Sequence, residues 1–172
     1  MTTIVLLGEP RVGKTSWVSR MHNKQIDEDS YLTTMGKSMT RVTFNNRDII
    51  FHDVGGYERY HNMLSLNYYI ANGALVFYDV NNQRSETRVA YWVSKLPKGV
   101  PYIIVGNKID LSKDFVQTID KISCLRNYDV SQPLVDLLEQ IPEDKSHTTP
   151  TFLKQLLDYF YSYLIDWLPM DK

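Results

Sequence analysis

The sequence predicts an α/β domain built on a mostly parallel sheet, with helices on both faces and one antiparallel edge. Two observations carry this expectation. Short apolar runs alternate with helix-like segments along most of the chain. The turn Asn45-Asn46-Arg47 joins two such runs directly, which makes that pair a hairpin and supplies the antiparallel edge.

The elements follow in order. Residues 4–7 are the first strand, which enters a glycine-containing loop and then a helix-like segment at 15–23. Residues 42–44 and 49–54 flank the hairpin turn. A helix-like stretch at 64–70, a strand at 74–80, a helix at 85–96 and a strand at 102–106 continue the alternation. Residues 131–148 are polar and punctuated by Pro133 and Pro142 around the short apolar run LVDLLEQI, and about 133–149 reads as a surface insertion. Thr149 and Pro150 supply an N-cap and a proline at the first helical position. They open the longest helix, 151–168, where Phe152, Leu156, Phe160, Leu164 and Trp167 mark one apolar stripe suited to packing on a sheet.

Bulk properties narrow the function by exclusion. With 172 residues, 43% hydrophobic and 23% charged, the chain fits one globular domain, 1–172, burying about two-thirds or more of its surface. A net charge of −1 and a pI near 6.4 leave no electrostatic footprint for nucleic acid or an acidic membrane surface. The lone Cys124 excludes an internal disulfide, and His22, His52, His61 and His147 lack zinc-ligand spacing, so these read as a buried thiol and ordinary histidines. No signal peptide, membrane span, myristoylation glycine or C-terminal prenylation cysteine is found. A soluble intracellular monomer without a lipid anchor, in cytoplasm and/or nucleus, is the expectation.

The first chemical signal is GEPRVGKT, Gly8 to Thr15, which satisfies G-x-x-x-x-G-K-[ST] between a strand and a helix. Such a loop turns successive backbone N–H groups toward phosphate oxygens at a helix N-terminus. Lys14 adds a charge on the β and γ phosphates, and Thr15 offers its hydroxyl to Mg²⁺. The second signal is NKID, Asn107-Lys108-Ile109-Asp110, at the end of an apolar strand. The Asn107 amide can donate and accept at the O6/N7 edge of guanine, while Asp110 can accept from its N1–H and N2–H₂. Adenine offers neither of those donors, so a site of this kind rejects it.

With both signals in place, the chain resembles the small GTPases of the Ras superfamily from residue 3 to about 132. The resemblance implies a six-stranded sheet in the P-loop small GTPase fold, GTP/GDP and Mg²⁺ as ligands, and GTP hydrolysis. It implies phosphate contacts from Gly8, Arg11, Val12, Gly13, Lys14, Thr15 and Ser16, and base contacts from Asn107, Lys108 and Asp110. YLTTMG resembles the first switch segment, with Thr34 reaching Mg²⁺ and sensing the γ-phosphate. Asp53-Val54-Gly55-Gly56 resembles the second, with Asp53 on Mg²⁺ through water and the Gly56 N–H on the γ-phosphate. These contacts order the two loops with GTP and release them with GDP. YDVSQP stands where the family has Ser-Ala-Lys, so Ser131 and the Gln132 N–H take the third guanine contact. Effectors would bind through the switch regions, about 27–41 and 55–70, and an exchange factor and a GTPase-activating protein would regulate the cycle. The branch is Ran-like in Tyr128-Asp-Val-Ser and Tyr68-Tyr-Ile, and Rab-like in TTMG and YERY.

Three departures qualify the expected activity. Ile26 holds the place of an aromatic residue beside the guanine in many relatives. Pro10 and Arg11 replace small residues, although Arg11 keeps the bridging N–H. Tyr57 replaces the glutamine that orients the attacking water, and a phenol can neither copy the amide nor serve as a base at neutral pH. With Lys14, Thr34, Gly56 and Tyr57 as the catalytic set, hydrolysis is expected to be slow. The alternative is a non-hydrolysing GTP-binding interaction module. A P-loop small-molecule kinase would need an acceptor domain for which there is no space, and it gains nothing from NKID.

Overall fold

A computed structural model describes residues 1–24, 26, 37–56, 66–112 and 121–142. Met1–Ile141 form one compact unit and Pro142–Lys172 a second, in which Pro142 alone is described. The expected helix at 151–168 therefore lies outside the described residues.

Five strands, β1 (Thr2–Leu7), β2 (Lys37–Phe44), β3 (Arg47–Val54), β4 (Gly73–Asp79) and β5 (Tyr102–Asn107), form one sheet in the order β2-β3-β1-β4-β5. β1 runs parallel to β3 and β4, β4 runs parallel to β5, and β2 is antiparallel to β3. The antiparallel pair turns on Asn45 and Asn46 alone, with φ of 47° and 60°. Positive φ at both central residues is the I′ hairpin geometry, which asparagine tolerates better than most residues. Arg47 belongs to the strand, facing Phe44.

Among the described residues there are five strands rather than the six expected. Residues 121–123 stand where a sixth would lie, yet a single parallel bridge, Gly106 to Lys121, joins them to β5. Ser123 already pairs with Tyr128, and positive φ at Asn127 and Asp129 turns the chain away.

Both faces of the sheet are covered, as alternating elements require. On one face Ile4, Leu6, Phe51, Leu75 and Phe77 pack against Trp17 of α1 (Lys14–Met21) and Leu134 and Leu137 of α5 (Gln132–Gln140). Trp17 meets the Phe51 ring edge-on at 5.1 Å. On the other face Val5, Leu7, Val54, Ala74 and Val76 lie under Tyr68 of α2 (Leu66–Tyr69) and Trp92. Because β1 is buried on both sides, its apolar run is continuous rather than alternating.

Two expectations need correction. The helix expected at 85–96 is two short helices, α3 (Gln83–Thr87) and α4 (Val89–Val93), meeting at Arg88. Asn82 caps α3 by accepting from the Arg84 and Ser85 N–H groups. The Thr87 hydroxyl bonds back to Arg84 O at 3.0 Å, a pattern that bends helices. The surface insertion expected at about 133–149 begins instead as α5, whose Leu134 and Leu137 are fully buried. Pro133 lies in the first turn of that helix, where a missing N–H costs nothing. Residues 143–149 lie outside the described residues.

Candidate functional site

The phosphate loop connects β1 to α1 through a series of left-handed turns. Gly8, Arg11 and Gly13 have φ of 135°, 66° and 98°. A Cβ on Gly8 would strike the Phe77 carbonyl and one on Gly13 the Asn107 amide, so neither position accepts a larger residue. The first bond inside α1 is Trp17 N to Gly13 O at 2.9 Å. Gly13 provides no side-chain cap and the first turn holds no acidic residue. The N–H groups of Lys14, Thr15 and Ser16 thus stand ahead of the helical ladder, at the positive end of the dipole, where an anion is favoured.

Lys14 is buried and curls back over the loop, donating from Nζ to Gly8 O at 2.7 Å and Glu9 O at 2.9 Å. Burial lowers its pKa to about 8 against the opposing pull of Asp53 and Glu9. Thr15 Oγ1 donates to Asp53 Oδ2 at 2.5 Å, so the two expected Mg²⁺ ligands meet although one comes from α1 and the other from the end of β3. A hydroxyl and a carboxylate beside a phosphate-binding loop suit a hard cation that takes most of its oxygens from phosphate and water. The residues fit Mg²⁺, and Thr15 and Asp53 would hold it. Gly56 is buried with its backbone directly against Pro10 N and Glu9 C, and a Cβ there would collide with both. Arg11 is exposed. Thr34 and Tyr57 lie outside the described residues.

The NKID segment is tied to the phosphate loop by a bond that sequence reasoning did not foresee. Asn107 is 1% exposed, and its Nδ2 donates to Val12 O at 2.9 Å across 95 residues. Its Oδ1 accepts from Lys108 N at 2.8 Å and Cys124 N at 3.2 Å. Asn107 thus ties three loops together, in addition to the base contact expected of it. Lys108 is left-handed, with φ of 67°, and pairs through Nζ with Asp79 Oδ2 at 2.8 Å. Asp110 follows in a 3-10 turn, Ile109–Leu111, and its Oδ1 accepts from Ser123 Oγ.

Ser131 and Gln132, expected at the third guanine contact, lie at the start of α5: Ser131 stands at its N-cap position with no side-chain cap bond, and Gln132 gives its backbone N–H to Asp129 O at 3.3 Å. Ser123 and Cys124 are the residues beside Asp110 and Asn107. Helix α1 secures this loop from below. Trp17 Nε1 donates to Val130 O at 2.8 Å, and Arg20 donates to Cys124 O at 2.6 Å and Leu125 O at 2.5 Å. A serine followed by a small residue shortly after NKID was the signal available in the sequence. Ile26, expected beside the base, is half-buried against the core cluster that contains Trp17 and Val42.

Burial pushes the Cys124 thiol up to about 12, and alkylation needs the thiolate. At pH 8 the native protein is therefore expected to react with iodoacetamide about a hundredfold or more slowly than the unfolded chain. Equal rates in buffer and in guanidinium would show that the thiol is accessible.

The model of the Ras family matches residues 3–140. Ras-related protein Rab-21 of Mus musculus is 37% identical over 119 residues, covering 64% of this chain and 53% of that protein. The Homo sapiens Rab-21 is 36% identical over the same length. Ras-related protein RabG2 of Dictyostelium discoideum is 33% identical over 121 residues, 63% of this chain and 58% of its own. The chain spans about half the length of the curated relatives it matches.

Proposed function

The chain belongs to the Ras family, and we propose that it is a Rab-like GTP/GDP switch. In this reading a single G domain occupies 1–172, binds guanine nucleotide with Mg²⁺, and hydrolyses GTP slowly. It engages effectors in the GTP state and regulates intracellular transport or trafficking in the cytoplasm and/or nucleus, under an exchange factor and a GTPase-activating protein. The observation that carries this is the Asn107 strut, which joins a phosphate-binding loop and a base-binding segment into one site. Similarity to Rab-21 and RabG2 supports the Rab-like branch. The Ran-like alternative rests on residues 68–70 and 128–131 and on the expectation of no lipid anchor. Capture of partners on protein loaded in turn with GDP and with a non-hydrolysable GTP analogue tests the switch. An identical set of partners in the two states would remove it.

Residue roles follow the same reading. Gly8, Arg11, Val12, Gly13 and Ser16 line the phosphates with backbone N–H groups, while Lys14 binds them by charge. Thr15, Thr34 and Asp53 hold Mg²⁺, which neutralises charge on the phosphate oxygens when bound. Asn107 and Asp110 read the base, and the loop at Ser123 and Cys124 completes its edge. Slow hydrolysis follows from Tyr57 in the water-positioning place. Tyr57→Gln is expected to raise intrinsic hydrolysis about tenfold, roughly 1.4 kcal/mol, with little change in affinity because water orientation acts in the transition state. Single-turnover phosphate release from pre-loaded GTP measures this. A wild type as fast as the variant would mean that Tyr57 is no handicap. A second reading, a module that binds GTP without hydrolysing it, is favoured by Tyr57 together with Pro10, which has no N–H to offer and against which Gly56 packs. No phosphate release over hours would decide for it.

A further inference from the structure

The Glu9 side chain belongs to none of these roles, yet it is an acidic group in a loop suited to anions. Its Oε1 accepts from Arg88 Nε and from Trp92 Nε1, each at 3.1 Å. Those donors lie 79 and 83 residues further along the chain, at the junction of α3 with α4 and in α4 itself. Trp92 is 1% exposed in the core with Leu7 and Val54, so its indole N–H is a fixed point. Arg88 is steadied in turn by the Tyr91 ring, 3.8 Å from its guanidinium carbon. The main chain of the same glutamate holds Lys14 through Glu9 O and abuts Gly56.

We propose that Glu9 is a positioning residue of the phosphate loop. Arg88 and Trp92 draw its carboxylate toward α4 and neutralise it, which keeps a negative charge off the phosphates and fixes the carbonyl that holds Lys14. The inference rests on the nucleotide-binding reading above. Its chemistry is specific to phosphate: a carboxylate released into the loop repels phosphate oxygens, whereas base recognition at Asp110 does not depend on it. Arg88→Ala, which strands the anion, should therefore be more harmful than Glu9→Gln, which removes it.

The test uses the full chain and compares GDP with GMP, which differ by the β-phosphate, in the presence of Mg²⁺, with thermal unfolding recorded for every variant. Arg88→Ala is expected to lower the ratio of GDP to GMP affinity about tenfold, and adding Glu9→Gln to it should restore most of that ratio. Trp92→Phe, which keeps the ring and loses the donor, should lower it about threefold, in line with the loss of one charge-assisted bond from a shared acceptor. An unchanged ratio in Arg88→Ala, or equal losses of both ligands together with a lowered melting temperature and no recovery in the double variant, would overturn the assignment and leave Glu9 a structural residue. Failure of the unsubstituted protein to bind GDP would instead remove the underlying reading, a result seen before any variant is compared.

Discussion

Asp110→Asn is expected to abolish guanine selectivity and transfer it to xanthine, with GDP affinity falling by about 10³-fold or more. The geometry makes this a clean exchange. Asp110 Oδ1 accepts from Ser123 Oγ, and an introduced amide oxygen can keep that bond, so the loop holding Ser123 need not move. What changes is the second position, where an acceptor becomes an N–H₂ donor. Guanine offers donors at N1 and N2, and two donors facing each other leave both buried and unpaired, which is why the loss is large. Xanthine carries a carbonyl where guanine has its amino group, and the new donor matches it. Binding of GDP and XDP to the two proteins, measured side by side, checks the result. Undiminished GDP affinity in the variant would show that Asp110 does not face the base.

Asn107→Ala is expected to cost both stability and ligand retention. The native side chain bonds Val12 O, Lys108 N and Cys124 N from a buried position. Truncation leaves these groups without their partner, at about 1–3 kcal/mol for each that stays dry. A fall of about 3 kcal/mol in unfolding free energy and a rise of about a hundredfold in GDP release are expected, since water will satisfy some of the exposed groups. Denaturant unfolding and labelled-GDP release give the two numbers. A variant with normal stability and fast release would make Asn107 a base contact first and a strut second.

The parts of this site that were legible in the sequence are those in which residue type carries the chemistry. Gly8, Gly13 and Lys14 announce a phosphate loop because left-handed backbone and a buried cation demand those residues. Strand and helix alternation likewise gave both layers of the fold, since β1 and α1 bury apolar side chains at their own periods. The loop at Ser123 and Cys124 is marked only by a serine followed by a small residue, because one of its bonds runs through a backbone N–H, which any residue but proline supplies. Asn107 was assigned from its type, but its partners lie in other loops and no local pattern names them. Glu9, Arg88 and Trp92 were missed for the same reason, being far apart in the chain. At Pro133 the error was of another kind: a proline read as a breaker is also a good first-turn residue, and only the buried leucines after it decide between the two.

Trp17 and Arg20 place α1 under a loop made more than a hundred residues later, at separations of 113, 104 and 105. A chain emerging from the ribosome forms the phosphate loop and α1 among its earliest segments, but the Trp17 indole and the Arg20 guanidinium have no acceptors until residues 124–130 arrive. Contacts of such sequence separation close late, because their loop entropy must be met first. On the nucleotide-binding reading proposed above, a nascent chain stopped before residue 120 would carry the phosphate motif and Asp110 without the loop that completes the base edge, and nucleotide could not act on it as a folding template. The ligand of that reading would reward only a chain complete through residue 130.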